Sequence, residues 1–266
     1  MPWIFRGLRN GVVTTGWPKR PDAYFASWAG VATPLPGRVA PSEAVAGAVC
    51  ARCPTGAIHH AQRRLVVDQG SCIGCGLCVA AHPDLLSWQQ GSGVARLARG
   101  ALVVPEAGKT HEDLAALRES LAERVRAFGR SVHIRHVDAG SDGSEEWEIA
   151  ALLNPVYDIH RLGLFFTASP RHADVLLVTG IGATGMQAPL QRTLEAMPSP
   201  VVVVAVGSDA CSGGLLSGSY ASCGGVGGLV GVDVWVPGSP PSPFAILHGL
   251  LVALGRLPQS VEEPQQ

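Results

Sequence analysis

Residues 175–207 read VLLVTGIGATGMQAPLQRTLEAMPSPVVVVAVG, and the fold follows from this stretch. Val175–Thr179 and Val201–Val206 are short apolar runs bounded by glycine, the pattern of buried parallel strands. Gln187–Met197 between them reads as a helix. Working outward, Val132–Val137 alternates like a strand, Val232–Val236 is a fourth strand, and Phe244–Leu254 is a closing helix. Strands alternating with helices predict an α/β layer around a mostly parallel sheet. Upstream, Leu114, Leu117, Leu121 and Val125 recur at three and four residues. Thr110 with Asp113 forms a capping box, and Gly129 stops this helix.

The residue counts bound the class. The chain has 266 residues, enough for one or two domains. Gly 33 and Pro 20 together make about a fifth of it, against roughly 12% in average usage, and imply many tight turns. Apolar residues at 47% exclude global disorder, and charged residues at only 15% imply a surface partly covered by partners. Residues 1–95 hold eight Lys/Arg against four Asp/Glu, and the rest hold twelve against seventeen. No basic cluster is dense enough for nucleic acid. The longest apolar stretches fall short of the roughly 20 residues of a membrane span. Met1-Pro2-Trp3 leads into arginines with no signal-peptide core. These features predict a cytoplasmic chain with reduced thiols, so its seven cysteines point to metal.

Five of those cysteines lie in residues 41–95. Cys72-Ile-Gly-Cys75-Gly-Leu-Cys78 is C-x-x-C-x-x-C, and Cys53-Pro54 stands upstream. In bacterial ferredoxins three closely spaced cysteines ligate one cluster, and the cysteine before a proline ligates the other. Cys53, Cys72, Cys75 and Cys78 therefore make one complete set for a [4Fe–4S] cluster. A second set is missing: only Cys50 precedes Cys53, and the later half reads His82-Pro83 where Cys-Pro is required. A zinc ribbon on Cys50, Cys53, Cys72 and Cys75 competes, but leaves Cys78 unexplained.

Gly180-Ile-Gly182-Ala-Thr-Gly185 follows a strand and precedes a helix, as a dinucleotide loop does, with Asp209 downstream as the ribose-binding acid. Pro189 early in the helix speaks against it. Trp3, Ile4, Phe5, Leu8 and Val12 interleave with Arg6, Arg9 and Asn10, which suits either an amphipathic anchor or an arm packed on its own domain. His133, His136 and His172 read as hydrogen-bonded structural residues, and Trp147 and Trp235 as packing. Tyr157, Arg161 and Arg171 suit polar contacts to a partner.

Residues 41–90 resemble the ferredoxin-like subunits of complex I and of the related membrane-bound nickel–iron hydrogenases, and the opening MPWIFRGLRNGVVTTGWPKRPDAYF is similar to the N-terminal arm of that group. Residues 131–256 resemble the 20 kDa subunit of NADH:quinone oxidoreductase and the small subunit of formate-hydrogenlyase-type hydrogenases. The segments that carry this are RHVDAGS, NPVYDIHRLGLFFTASPRHADVLLVTG, QRTLEAMPSP, AVGSDACSGG, GSY and VDVWVPGSPPSPFAILHGL, in that order. The resemblance implies a flavodoxin-like α/β domain. In that family the domain holds a [4Fe–4S] cluster that passes electrons to quinone, or to and from a nickel site in a large subunit.

The four family cysteines fall here on Asp142, Glu145, Asp209 and Ser239. Neither Cys211 nor Cys223 restores a set of four. Carboxylates and a hydroxyl are hard ligands that suit Mg or Ca. The expectation is a hydrated vestige without a cluster, or three acids that bind a hard cation or relay protons, each raising the others' pKa.

The predicted organisation is an arm (1–40), a small α+β ferredoxin-like domain (41–95), a linker and bridging helix (96–130), the flavodoxin-like domain (131–257) and a tail (258–266). The predicted function is an electron-transfer subunit with one [4Fe–4S] cluster. It would lie peripherally on the inner face of the plasma membrane, beside a large subunit and membrane subunits, with quinone as a candidate substrate. The alternatives are a non-redox scaffold in a degenerate assembly and a nucleotide-binding reductase.

Overall fold

In the computed structural model, which describes residues 2–36, 41–61, 63–105, 111–129 and 131–258, the N-terminal arm divides at Thr14. Helix α1 (Trp3–Asn10) buries no residue, and exposure continues to Val13. From Thr14 the chain packs on the C-terminal lobe. The Thr15 N–H donates to the Val156 carbonyl at 2.8 Å. Trp17 stacks on Phe25 of α2 (Ala23–Ser27) at 4.9 Å and meets Phe244 edge-on at 5.7 Å.

A small lobe follows. Its elements are β1 (Ala32–Pro34), α3 (Glu43–Ala51), β2 (Ile58–Ala61), β3 (Arg64–Asp68), α4 (Leu77–Ala81), β4 (Leu86–Trp88) and β5 (Val103–Val104). β1 pairs antiparallel with β4, and β3 pairs antiparallel with both β2 and β5. The Ser42 hydroxyl caps α3 by accepting from the Val45 N–H. Ala46 and Val49 of α3 then close over Ile58, Leu65, Val67, Cys78 and Leu86, which form the core of this lobe.

The Gly/Arg-rich stretch from 91 to 100 passes between the lobes as buried chain. Val94, Ala95 and Leu97 join the core of the large lobe, and the Arg96 and Trp235 backbones exchange hydrogen bonds of 2.9 and 2.8 Å. Helix α5 (His111–Val125) buries Leu121, while Leu117 stays exposed. Thr110, expected as its cap, lies outside the described residues, as does the tail from Gln259.

The large lobe contains β6 (Val132–Asp138), α6 (Ser144–Ala151), β7 (Leu164–Phe166), β8 (Val175–Thr179), α7 (Gln187–Glu195), β9 (Val202–Val206), α8 (Ser208–Ser212), β10 (Val234–Val236) and α9 (Pro243–Ala253). Its five strands are all parallel, in the order β10-β9-β8-β6-β7. This is the flavodoxin-like order 2-1-3-4-5, with the switch point between the first and third strands, β6 and β8. Side chains alternate across the sheet. Val175, Leu177, Val202, Val204 and Val206 face one core with α9. Leu176, Val178, Val203 and Ala205 face the other with Leu190 of α7. Every residue of α9 is buried, because the sheet covers one side and Trp17, Phe25 and Leu97 crowd the other.

Three elements of the large lobe were not anticipated, α6, β7 and α8. Trp147, expected to pack, is 79% exposed. On α6 the buried positions go to Glu145 and Ile149, and Trp147 lies between them on the outer face.

Candidate metal centre and its acidic neighbour

The turn after α3, the loop before α4 and α4 itself bring Cys53, Cys72, Cys75 and Cys78 to the wall of one cavity. Ala32, Ile58, Val67, Ile73, Leu77 and Trp88 line the rest of it. Burial, then the neighbouring thiols Cys53 and Cys75, push the Cys72 thiol up, against backbone hydrogen bonds from Ala32 and Gly74. Cys78 is raised by burial and by the charges of Cys72, Cys53 and Cys75. The Ala57 N–H donates to the Cys53 sulfur at 3.2 Å, and the Thr55 hydroxyl lies 3.5 Å from it. Cys75 is exposed.

Cys50 and His82 do not line this cavity. Cys50 sits one helical turn before Cys53, on α3, where burial raises its thiol. The zinc-ribbon set is therefore split, and Cys78 stands in place of Cys50. Among the described residues no three Cys, His, Asp or Glu side chains close on a single point as ligands of one ion do. Four thiols around an apolar cavity, with N–H donors on sulfur, fit the donor set of a four-thiolate iron–sulfur cluster.

The loop that carries Cys72 is anchored to the large lobe. The Ser208 hydroxyl donates to the Cys72 carbonyl at 2.6 Å. Ser208 is fully buried, its N–H donates to the Gly238 carbonyl at 2.7 Å, and its hydroxyl accepts from the Gly238 N–H at 3.4 Å. Arg99 adds a second tie. It grips both oxygens of Asp68, at 2.7 and 2.6 Å, and its Nε donates to the Cys211 carbonyl at 2.8 Å.

Next to this junction, at the C-terminal ends of β6 and β9, the structure brings together Asp142, Glu145 and Asp209, three of the four positions that the resemblance sets against family cysteines. Glu145 is buried at the start of α6, and its carboxyl lies against Gly207, which has φ +94 and has no room for a Cβ. Burial, then the charges of Asp209 and Asp142, push Glu145 up to about 7, against hydrogen bonds from its own N–H and from Ser144. Burial, then Asp142 and Glu146, raise Asp209. Asp142 corrects the expectation that all three rise. The neighbouring Ser144 side chain, then the Ser144 N–H, which donates to it at 2.9 Å, hold it low. Ser239 is exposed on the loop after β10. Cys211 is buried, and burial pushes its thiol up to about 12, so it stays protonated. Cys223 is exposed.

A second network was invisible in the sequence. His136 Nε2 lies 3.0 Å from the Thr179 hydroxyl, which donates to Glu146, and the Ser141 hydroxyl donates to the other Glu146 oxygen at 2.6 Å. Burial holds His136 low, against the pull of Glu146 and Asp138. The glycine loop after β8 is used for packing. Gly182 is pressed on the Gly225 carbonyl, and the Ser222 hydroxyl and Gly225 N–H both donate to the Ile181 carbonyl. The 222–226 loop packs directly on this glycine loop.

Comparison with known proteins agrees with this architecture. The family described as NADH ubiquinone oxidoreductase, 20 Kd subunit, matches residues 143–253. Formate hydrogenlyase subunit 7 of Escherichia coli (strain K12) is 37% identical over 163 residues, covering 61% of this chain and 63% of that protein. An NADH-quinone oxidoreductase subunit of Desulfovibrio desulfuricans is 47% identical over 95 residues, 36% of this chain and 51% of that protein. The chain thus spans about half to two thirds of those two relatives. The probable membrane-bound hydrogenase subunit mbhJ of Pyrococcus furiosus is 37% identical over 146 residues, 55% of this chain and 87% of that protein. Identity of that extent over most of a relative, on a five-stranded parallel sheet of the expected order, means that the chain belongs to the NADH ubiquinone oxidoreductase, 20 Kd subunit family.

Proposed function

We propose that this chain is an electron-transfer subunit of a membrane-associated oxidoreductase of the complex I and hydrogenase type. It holds one [4Fe–4S] cluster, on Cys53, Cys72, Cys75 and Cys78, and none in the large lobe. The observation that carries the reading is the shared cavity of these four cysteines. When bound, the cluster supplies one-electron storage and transfer. The chain's own residues do the rest. The Ala57 N–H donates to the Cys53 sulfur, the Thr55 hydroxyl lies beside it, and apolar side chains line most of the cavity. Ser208 and Arg99 hold the ligand loop on the large lobe.

The relatives named above are subunits of a formate hydrogenlyase, a membrane-bound hydrogenase and an NADH-quinone oxidoreductase. Partners of the same kind, a large subunit and membrane subunits, follow for this chain, with quinone or hydrogen as the substrate of the whole assembly. Among the described residues no helix is long and apolar enough to cross a membrane. The chain docks peripherally on the cytoplasmic face through those partners.

Anaerobic iron and sulfide quantitation with EPR of the reduced protein tests this. One cluster's worth of iron and one S = 1/2 signal are expected. Two clusters' worth would overturn the assignment of Asp142, Glu145, Asp209 and Ser239 as cluster-free. Absence of iron would leave the scaffold reading.

A further inference from the structure

The most deeply buried carboxylic acid of the large lobe has no part in the reading above. Glu145 is 1% exposed, at the start of α6. Its carboxyl rests on Gly207. The next residue, Ser208, donates its hydroxyl to the Cys72 carbonyl at 2.6 Å. One backbone step and one hydrogen bond therefore separate the acid from a cysteine of the thiolate set.

The groups around Glu145 sharpen its role. Asp142 and Ser144 face it from the loop and first turn before it, and Asp209 faces it from α8. Cys211, also on α8, feels its charge but stays protonated. Behind Cys211, Arg99 is already paired with Asp68. Glu146 turns away to Ser141 and Thr179. α9, packed on α6, has His248 as its one titratable residue, and that ring stands against Phe25. Among the described residues no cation is in position to hold Glu145 ionised, and its proton affinity brings it to titrate at about 7.

We propose that Glu145 is a proton-binding site coupled to the redox state of the thiolate-held cluster across the Ser208–Cys72 contact. The proposal rests on the cluster assignment made above. An electron added to the cluster adds one negative charge, and buried Ser208 and Glu145 lie between that charge and the large-lobe core, where charges interact strongly. That charge favours the neutral carboxyl over the carboxylate. Coupling is reciprocal, so a protonated Glu145 makes the cluster easier to reduce. The balance is simple. A one-electron reductant such as dithionite supplies the electron to the cluster, and solvent supplies one proton to a Glu145 oxygen. Reoxidation returns both, and the carboxyl O–H is the only bond made or broken.

The test is an EPR-monitored redox titration of the full chain, after its iron and sulfide have been measured. The wild-type midpoint potential falls as pH rises from about 6 to about 8 and levels off on either side. Glu145→Gln keeps its iron and shows a flat potential. Asp209→Asn removes a neighbouring negative charge, so the fall moves to lower pH. In reduced-minus-oxidised infrared spectra near neutral pH, a carboxyl C=O band grows in the wild type and is missing in Glu145→Gln. A wild-type potential flat across that range overturns the proposal. So does a Glu145→Gln variant that keeps the wild-type pH dependence. A chain that binds no iron overturns the cluster assignment and the proposal together, whereas full iron with a flat potential overturns the proposal alone.

Discussion

Arg99 grips Asp68 with both terminal nitrogens, at 2.7 and 2.6 Å, where the strand leading to Cys72 meets the large lobe. Burial alone would push the Asp68 carboxyl up, but the hydrogen bonds and charge of Arg99 outweigh it and hold the carboxyl low. A lowered carboxyl stabilises the fold above its unfolded pKa, and this contribution fades as pH falls through the folded value. Arg99→Ala leaves Asp68 half-buried without its partner and is expected to cost about 2 kcal/mol in urea unfolding near neutral pH. The deficit shrinks in acid. An unchanged unfolding midpoint would show that the pair adds nothing.

Gly207 lies in a backbone region that side chains rarely adopt, and a Cβ there would meet the Glu145 carboxyl. Gly207→Ala should cost roughly 3 kcal/mol, from backbone strain plus the clash. Adding Glu145→Ala removes the clash and keeps the strain, so the double variant recovers only part of the loss. Thermal melts of both variants decide this.

His248 and Glu145 impose opposite pH slopes on stability. His248 is fully buried, neither ring nitrogen makes a well-formed hydrogen bond, and burial followed by the Arg96 charge pushes it down to about 4. Unfolded, it takes up a proton at its usual value of 6.5. Its effect on stability is therefore lost as pH falls from 6.5 to about 4, by roughly 3 kcal/mol. Glu145 is raised from 4.5 to about 7, so its contribution is complete below 4.5 and is lost as pH rises through about 7, by up to about 3 kcal/mol. His248→Leu should flatten the acid side of the curve, and Glu145→Gln the neutral side. Denaturant midpoints across the two windows check both.

The four-cysteine cavity predicts a split among the thiols of the small lobe. Cys50→Ser retains its iron and sulfide, because Cys50 lies outside the cavity. Cys75→Ser and Cys78→Ser lose most of theirs. Zinc in place of iron, lost equally in Cys50→Ser and Cys75→Ser and kept in Cys78→Ser, would restore the zinc-ribbon set.

Trp147 presents its indole to solvent on α6. Trp147→Ala should leave stability within about 0.5 kcal/mol of the wild type, as surface changes do. A loss of several kcal/mol in the isolated chain would mean that the indole packs after all.

The parts legible in the sequence are those whose signal is local. The run Val175–Thr179 appears as a strand with those same bounds, because all five side chains are buried and the glycine after it breaks the run. The cysteine triplet and Cys53-Pro54 announce themselves by spacing, since a tight loop dictates which thiols share a cavity. Helix α6 escaped because its buried face contains Glu145, which breaks the apolar period, while its tryptophan points outward. β7 is three residues long, too short for any periodicity. The Ser208–Cys72 bond joins residues 136 apart, and no spacing rule connects a serine to a distant carbonyl. The low pKa of Asp142 turns on the Ser144 hydroxyl and N–H, a detail of loop geometry that charge counting misses.

A ferredoxin that works alone is a courier, and its throughput depends on how often it collides with its donor and acceptor. Here Val94, Ala95 and Leu97 run through the heart of the neighbouring lobe, and Arg96 is laced to Trp235 in both directions. The cysteine-bearing lobe cannot leave without tearing open that interior. Under the proposed function, electrons through it would cross fixed spacings, and mutations at this seam should alter the rate of relay without changing the chemistry at either terminus.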